Sequence, residues 1–289
     1  MSLQRLVTEP APLLPFLFTA YPEVKKTKVR QWLKHGAVHI NGTSAKRHDH
    51  ALARGDKITI RPQKAPPETS PLPPGLRILH EDGTVLVVEK PAGWLTIAKD
   101  SGKGRNIYSV LMDHVRSANP KLKVWIVHRL DRETSGLIVF AITEGAKRTL
   151  QQHWQEFDKR YLAVVEGVPK EAKGTIRSYL DESNPMRVYS SAQSEDTREA
   201  ITHYQVLKQG QGRSLIQLTL ETGRRHQIRV QLSDARCPVV GDPRYGAKTD
   251  PVGRLALHAS HLSFRHPLDG SRMTFDSALP KDLAALLPK

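Results

Sequence analysis

A single cysteine, Cys237, stands among the 289 residues, which excludes an intramolecular disulfide and a zinc site of paired thiolates and fits a reducing compartment. Long apolar runs are missing too. The longest near the start, LLPFLF, is far too short to span a membrane and is bounded by prolines. It lacks a basic leader and a small-residue cleavage site, and the first residues carry Glu9 and only one arginine. Neither a secretory signal nor a transit peptide is therefore expected, and the expected compartment is the cytoplasm. Acidic residues are scarce: 29 Asp and Glu face 44 Lys and Arg, giving a net charge of +15 and a pI near 10.0. This balance argues against an acidic protein or a neutral metabolite as partner and points to a polyanion, nucleic acid before an anionic membrane surface. Metal and phosphate signatures are absent as well. There is no HExxH and no GxxxxGK[ST] or strand-linked GxGxxG, and the 13 histidines fall in no ligand spacing. The SGKGR stretch near Gly102 reads as a basic loop, and no metal or cofactor is expected.

What is present divides into two modules. The segment PQKAPPETSPLPPG, residues 62 to 75, has prolines at 62, 66, 67, 71, 73 and 74, so it cannot supply ladder donors and reads as a semi-rigid spacer. It separates a module of residues 1 to 61 from one of residues 76 to 289. Between Glu23 and Lys64 stand eleven Lys or Arg against three acidic residues, about half the excess charge of the chain. In TKVRQWLKHG, Thr27 is placed to cap a short helix, Val29, Trp32 and Leu33 share one face, and Gly36 suits the stop. VHING then predicts a strand with an Asn41-Gly42 hairpin turn, and KITI a strand after Gly55-Asp56. Lys28, Arg30, Lys34, Lys46 and Arg47 are the candidate phosphate contacts, a grip on nucleic acid that reads no sequence.

Over VRQWLKHGAVHINGTSAKRHDHALARGDKITI this module resembles an S4 RNA-binding domain, a small α/β fold. It departs upstream, where LLPFLFTAYP stands in place of an opening of Arg-Leu-Asp-Lys type.

The second module mixes both periods. Strands are predicted at TVLVVEK, KVWIV, GLIVFA, RYLAVVEG, ITHYQVL, SLIQLTLE and LALHASHLSF, and helices at NIYSVLMDHVRSA, EGAKRTLQQHWQEF with Thr143 as cap, and RRHQIRVQLSDA. Strands outnumber helices and follow one another by short turns, so the expected class is α+β with a mixed, largely antiparallel sheet.

Within VHRLDRETSGLIVFA, Asp131 stands between Arg129 and Arg132. A carboxylate beside guanidinium groups has its charged form stabilised, which makes a poor general acid and a plausible nucleophile. The bland alternative is a salt-bridged turn. A serine hydrolase would recruit His128, Asp131 and Ser135, but Ser135 is in no GxSxG elbow and the three would crowd one loop. LTLETGRRHQIRVQL packs Arg224, Arg225, His226 and Arg229 into six residues, and KRYLAVVEG puts Tyr161 at the start of a strand.

Together with EKPAGWL, PVVGDPRYG, LALHA and HPLDGSRMTF, all in order, HRLDRETSGL, KRYLA and TGRRHQIRV resemble the RluA-type RNA pseudouridine synthases over nearly the whole second module. The resemblance implies that Asp131 is the catalytic aspartate that breaks the N1 to C1′ bond of uridine before the base rotates and rejoins through C5. It implies that Arg129 holds the target nucleotide out of its helix, that Tyr161 stacks on the base and assists proton removal, and that Arg229 pairs with the catalytic carboxylate. His128, Thr134, Arg224 and His226 are further candidates for binding the substrate. The isomerisation changes no oxidation state and consumes no water, so it needs neither redox cofactor, metal nor ATP. It does need the base outside its stack, at a cost of a few kcal/mol offset by stacking and phosphate contacts. Gln231, Arg236 and Cys237 depart from the family pattern, which bears on substrate choice more than on activity.

The expectation is a monomeric enzyme acting on structured RNA, large-subunit ribosomal RNA first and transfer RNA second. A non-catalytic RNA-binding or ribosome-assembly protein on the same fold is the competing reading.

Overall fold

The computed structural model describes residues 3–34, 37–45, 47–60, 72–98 and 106–287. Two units divide within the proline-rich segment, Met1–Ser70 and Pro71–Lys289. In chain order the first holds β1 (Leu3–Leu6), β2 (Ala11–Pro12), α1 (Leu13–Ala20), α2 (Lys26–Lys34), β3 (Val38–Ile40), β4 (Thr43–Ser44), β5 (Ala51–Leu52) and β6 (Lys57–Ile60). Its antiparallel sheet runs β1-β6-β3-β4. Asn41 and Gly42 turn the chain between β3 and β4 with φ of 50° and 87°, the left-handed pair that an NG hairpin requires. Val29 and Leu33 of α2 are buried against α1 residues Leu13 and Leu17, and Trp32 meets Tyr21 edge-on at 5.5 Å, as the predicted face requires. Thr27 does not cap α2: the helix begins one residue earlier, at Lys26. Gly36 lies outside the described residues. LLPFLFTA forms α1, with Pro15 tolerated in the first turn, where its missing N–H has no helical partner to lose.

The second unit is built on an eleven-stranded sheet. Its elements are β7 (Arg77–Glu81), β8 (Val85–Lys90), α3 (Ile107–Ala118), β9 (Trp125–Ile126), β10 (Ser135–Ala141), α4 (Glu144–Gln152), β11 (Asp158–Glu166) and β12 (Lys173–Asp181). They continue with β13 (Tyr189–Ser191), β14 (Thr197–Gly210), β15 (Arg213–Leu220), α5 (Gln227–Asp234), β16 (Leu257–Arg265), β17 (Arg272–Asp276) and α6 (Lys281–Ala284). The order is β13-β12-β14-β15-β11-β16-β10-β8-β7, with β9 on β10 and β17 on β16. Among the described residues the pairings are antiparallel except that of β10 with β16, so the class is α+β with a mixed, largely antiparallel sheet.

Every residue of β10 is buried because both of its faces are covered. One face packs Ile138 and Phe140 under Ile107, Leu111 and Val115 of α3, and the other packs Leu137 and Val139 under Ala146 and Leu150 of α4. Each such side chain contributes about 1.5–3 kcal/mol at most. Asn106 and Thr143 cap these helices by accepting from the N–H of Ser109 and Ala146, each cap worth ~1 kcal/mol.

Two predicted helices are shorter than the sequence suggests. α4 ends at Gln152 because Trp154 turns back over His128, ring centroids 4.5 Å apart. α5 starts at Gln227 because His226 takes a left-handed backbone, φ 54°. In this unit β7, β12, β13 and β17 fall outside the predicted strands. KGTIRSYLD and RMTFD alternate without an apolar run, as partly exposed strands do. The SGKGR stretch lies outside the described residues.

Where β10 and β16 run parallel, Gly136 pairs with Ala259 at φ 113°, and a Cβ there would stand 2.2 Å from the Ala259 carbonyl oxygen. Next to it a buried polar chain crosses the sheet. Arg254 donates to Ser135 Oγ (2.8 Å), Ser135 Oγ meets His258 Nδ1 (2.9 Å), His258 Nε2 meets Ser277 Oγ (2.9 Å), and Ser277 donates to Glu89 (2.7 Å). Burial holds the His258 pKa down to about 4 from the usual 6.5.

Gly136→Ala is expected to destabilise the fold by roughly 3 kcal/mol or more, measured by urea unfolding. For His258, the unfolded chain binds a proton between pH 6.5 and 4 that the folded chain does not. Its contribution is therefore fully present above pH 6.5 and declines as the pH falls towards 4, by about 1.4 kcal/mol per pH unit. His258→Gln is expected to show a shallower loss over that window in unfolding measured at pH 6.5 and 4.5.

Candidate active site

The turn between β9 and β10 is held from below before any of its side chains reaches solvent. Leu130 donates its N–H to Thr96 Oγ1 (3.1 Å), and the same hydroxyl donates to the Leu130 carbonyl (2.9 Å). Lys90, fully buried, directs its ammonium at three carbonyls, those of Pro91 (3.0 Å), Trp94 (2.8 Å) and Arg132 (3.0 Å). Burial lowers its pKa to about 7, opposed by Glu133 and Asp131. The Thr134 N–H closes the turn on the Asp131 carbonyl (3.2 Å). The Asp131 carboxylate is left at the cleft, its side chain 23% exposed.

The cation that meets Asp131 comes from α5, not from its neighbours in sequence. Arg229 donates from Nη1 to Asp131 Oδ2 at 3.2 Å, and His226 Nε2 lies 3.7 Å from the same oxygen. Among the described residues these are its ion-pairing partners, while Arg129 and Arg132 are exposed. The other edge of the Arg229 guanidinium is spent on Asp242, Nε to Oδ2 at 2.6 Å and Nη2 to Oδ1 at 2.8 Å. Tyr245, in the same short turn as Asp242, lies under Arg229 with its ring centroid 4.9 Å from the guanidinium carbon. Burial lowers the His226 pKa, against the opposing pull of Asp131.

Tyr161 reaches the cleft because β11 changes register against β16 between Arg160 and Tyr161. Such a bulge re-aims a side chain. Its ring packs where the cores beneath α3 and α5 meet. Burial, reinforced by Asp131, pushes its hydroxyl well above the usual value, so it stays protonated.

These groups line a cleft of about 450 Å³ that includes Arg129, Asp131, Thr134, Tyr161, Arg224, His226 and Arg229. A second recess of about 440 Å³ opens on the other side of Asp131, along Thr96, Ile97, Arg132 and Arg244. Arg224 is fixed by donation to the Glu199 carbonyl (3.0 Å). His128 is not brought to the Asp131 cleft. It accepts the Val139 N–H at Nε2 (3.1 Å), burial holds its pKa at about 3, and it lines a neighbouring recess with Trp154 and Tyr161. The hydrolase alternative fails on the same geometry, because Ser135 is 4% exposed and faces His258 rather than His128. Gln231 is 1% exposed and bonds to Thr202, Ser178 and Ala200, so its departure from the family pattern serves the docking of α5 on the sheet. Cys237 is buried and Arg236 exposed, and neither lines the cleft.

In the first unit Arg30 is exposed beside the Phe18 ring, and Arg47 is paired with Asp49. Lys28 and Lys34 belong to α2, but their side chains, like the whole of Lys46, lie outside the described residues. Sequence reasoning missed Asp242, Tyr245 and Lys90 as contributors to the site. Each stands inside a recognised motif, PVVGDPRYG or EKPAGWL, that by itself assigns it no task. Among the described residues no group of three His, Cys, Asp or Glu is placed to hold a metal ion.

Comparison with known proteins addresses the family of the chain. The family model for RNA pseudouridylate synthase matches residues 84–234. An uncharacterized RNA pseudouridine synthase of Bacillus subtilis, YlyB, is 34% identical over 94% of this chain and 91% of its own length. Ribosomal large subunit pseudouridine synthase D of Neisseria meningitidis serogroup A is 34% identical over 92% of this chain and 75% of its own. Among solved structures, human RNA pseudouridylate synthase domain containing 4 superposes with a TM-score of 0.60 at 25% identity, covering 72% of this chain and 90% of that one. The chain thus belongs to the RNA pseudouridine synthase family, as an RluA-type isomerase that acts on RNA.

Proposed function

We propose that the chain converts uridine to pseudouridine in large-subunit ribosomal RNA, with Asp131 as the reacting carboxylate. The observation that carries this reading is the Arg229 guanidinium, which holds Asp131 at 3.2 Å on the cleft floor that Tyr161 also lines. In the reaction the N1 to C1′ bond breaks, a C5 to C1′ bond forms, the hydrogen on C5 leaves as a proton and N1 gains one, so no oxidant or water is consumed. Asp131 serves as the nucleophile, kept in place by a cation that it shares with Asp242. The Tyr161 ring supplies the stacking surface for a base drawn out of its helix, and exposed Arg129 stands beside the opening to meet the displaced strand. Thr134, Arg224 and His226 complete the wall of the nucleotide site. Ribosomal RNA is favoured over transfer RNA by relatives named ribosomal large subunit pseudouridine synthase D, at 32–34% identity over 92% of this chain. We assign the first unit as an S4-like RNA grip, on its basic helix α2 beside a small sheet, and the protein as a cytoplasmic monomer.

Tritium release from RNA labelled at C5 of uridine tests the chemistry. Wild type is expected to release tritium from ribosomal RNA. Asp131→Asn, with folding and RNA binding intact, is expected to release none above background, and measurable turnover by that variant would sink the assignment. Release from transfer RNA alone would reverse the choice of substrate, and none from either, with binding intact, would favour a non-catalytic binder. Arg229→Ala is expected to reduce the rate, and a fully active Arg229→Ala would contradict the pairing. Replacing Lys28, Arg30 and Lys34 together by Gln is expected to weaken RNA binding and flatten its salt dependence, by about one unit of log–log slope for each phosphate that is no longer neutralised.

A further inference from the structure

Both groups that face Asp131 are held by one short turn. Asp242 grips one edge of the Arg229 fork with both oxygens, and three residues later Tyr245 reaches His226. The turn is shaped for this. At Gly241, φ 77°, a Cβ would stand 2.1 Å from the Arg254 carbonyl oxygen, and Tyr245 is only 3% exposed.

The Tyr245 hydroxyl has two partners, the Val188 N–H at 3.0 Å and His226 Nδ1 at 2.8 Å. A backbone N–H can only donate, so the oxygen accepts from Val188 and its own proton is free for Nδ1. A neutral imidazole that accepts at Nδ1 carries its hydrogen on Nε2. Nε2 is the nitrogen that lies 3.7 Å from Asp131 Oδ2, longer than a hydrogen bond and short enough for an N–H dipole to act on the carboxylate. The left-handed backbone of His226, φ 54°, is a conformation that a residue with a Cβ rarely adopts without compensation. Tyr245 also packs edge-on against the His226 ring, centroids 5.6 Å apart.

Val188 belongs to the arm of residues 182 to 188 between β12 and β13. The arm is pinned along its length. Arg225 donates to the carbonyls of Glu182, Asn184 and Pro185, and Arg244 to that of Met186 (2.9 Å). Met186 at its tip is 68% exposed. Glu182 lines the same cleft as Asp131.

We propose that Tyr245 is a positioning residue: its hydroxyl selects the His226 tautomer that presents an N–H to Asp131 and ties that imidazole to the 182–188 arm. The kinetic consequence rests on Asp131 being the reacting group; the tautomer does not.

The test separates the two. Imidazole ¹⁵N NMR of the full-length protein, with His226 assigned by comparison with His226→Asn, reads the tautomer without RNA. Wild type is expected to carry the hydrogen on Nε2, and Tyr245→Phe, which keeps the ring, to shift the population towards Nδ1. An Nδ1–H form in wild type, or an unchanged spectrum in Tyr245→Phe, would overturn the proposal. In tritium release, Tyr245→Phe is expected to lower kcat about tenfold with KM changed less than about twofold, and to cost nothing further in a His226→Ala background. Additive losses would overturn the coupling. Wild-type protein that shows the expected tautomer yet releases no tritium from any RNA would fail the functional reading and leave the tautomer assignment standing.

Discussion

One guanidinium sits between two carboxylates, and the geometry of the site follows from how it is divided. Arg229 gives two N–H groups to Asp242, which is 1% exposed, and a third to Asp131, which opens on the cleft. Taking three charges out of water is costly, and only close, saturated hydrogen bonding offsets it. A lysine could neutralise one of the carboxylates but could not span both, because the task needs a planar fork with donors on two edges. The buried partner fixes where the fork points. The partner on the cleft is held in a known place with an edge open to solvent.

That arrangement depends on docking α5 to the sheet, since Arg229 can be no better placed than its helix. Two glutamines do this. Gln227 donates to the Ile201 carbonyl (3.1 Å) and to Thr202 (2.9 Å), while Gln231 accepts from Thr202 (2.6 Å) and donates to Ser178 (3.0 Å) and Ala200 (3.0 Å). Buried amides are tolerated only when so fully used. Ile228 and Leu232 supply the apolar part of the same contact. The opposite wall is set by a register shift in β11 that brings Tyr161 to the cleft. Residues 98 positions apart in the chain therefore meet across a few ångströms.

Much of this was legible in the sequence. The buried strands announced themselves by apolar runs, α3 and α4 by their periodicity, α4 also by its cap Thr143, and the mixed α+β class by the order of these elements. Asp131, Tyr161 and Arg229 were legible as candidates because motif and chemistry agreed. What stayed hidden depends on distance in space. Arg129 and Arg132 flank Asp131 in the chain, and yet the charge that reaches it comes from α5. His128 stands three residues from Asp131 but turns to the β10 backbone. Asp242 and Tyr245 stood inside a motif that assigned them no task, and only the fold brings their turn to α5. The left-handed residue that starts α5 late has no signature, because it is histidine rather than glycine.

The ammonium of Lys90 joins two loops that stand far apart in the sequence, the Pro91 to Trp94 turn and the Asp131 turn, through carbonyls on both. With one buried amine gathered against three backbone oxygens, neither loop can swing without stripping a buried polar group of its partners. The turn that carries the Asp131 carboxylate is therefore tied to the Pro91 to Trp94 turn, 42 positions away in the chain from Lys90 to Arg132, and a displacement of one loop is carried to the other.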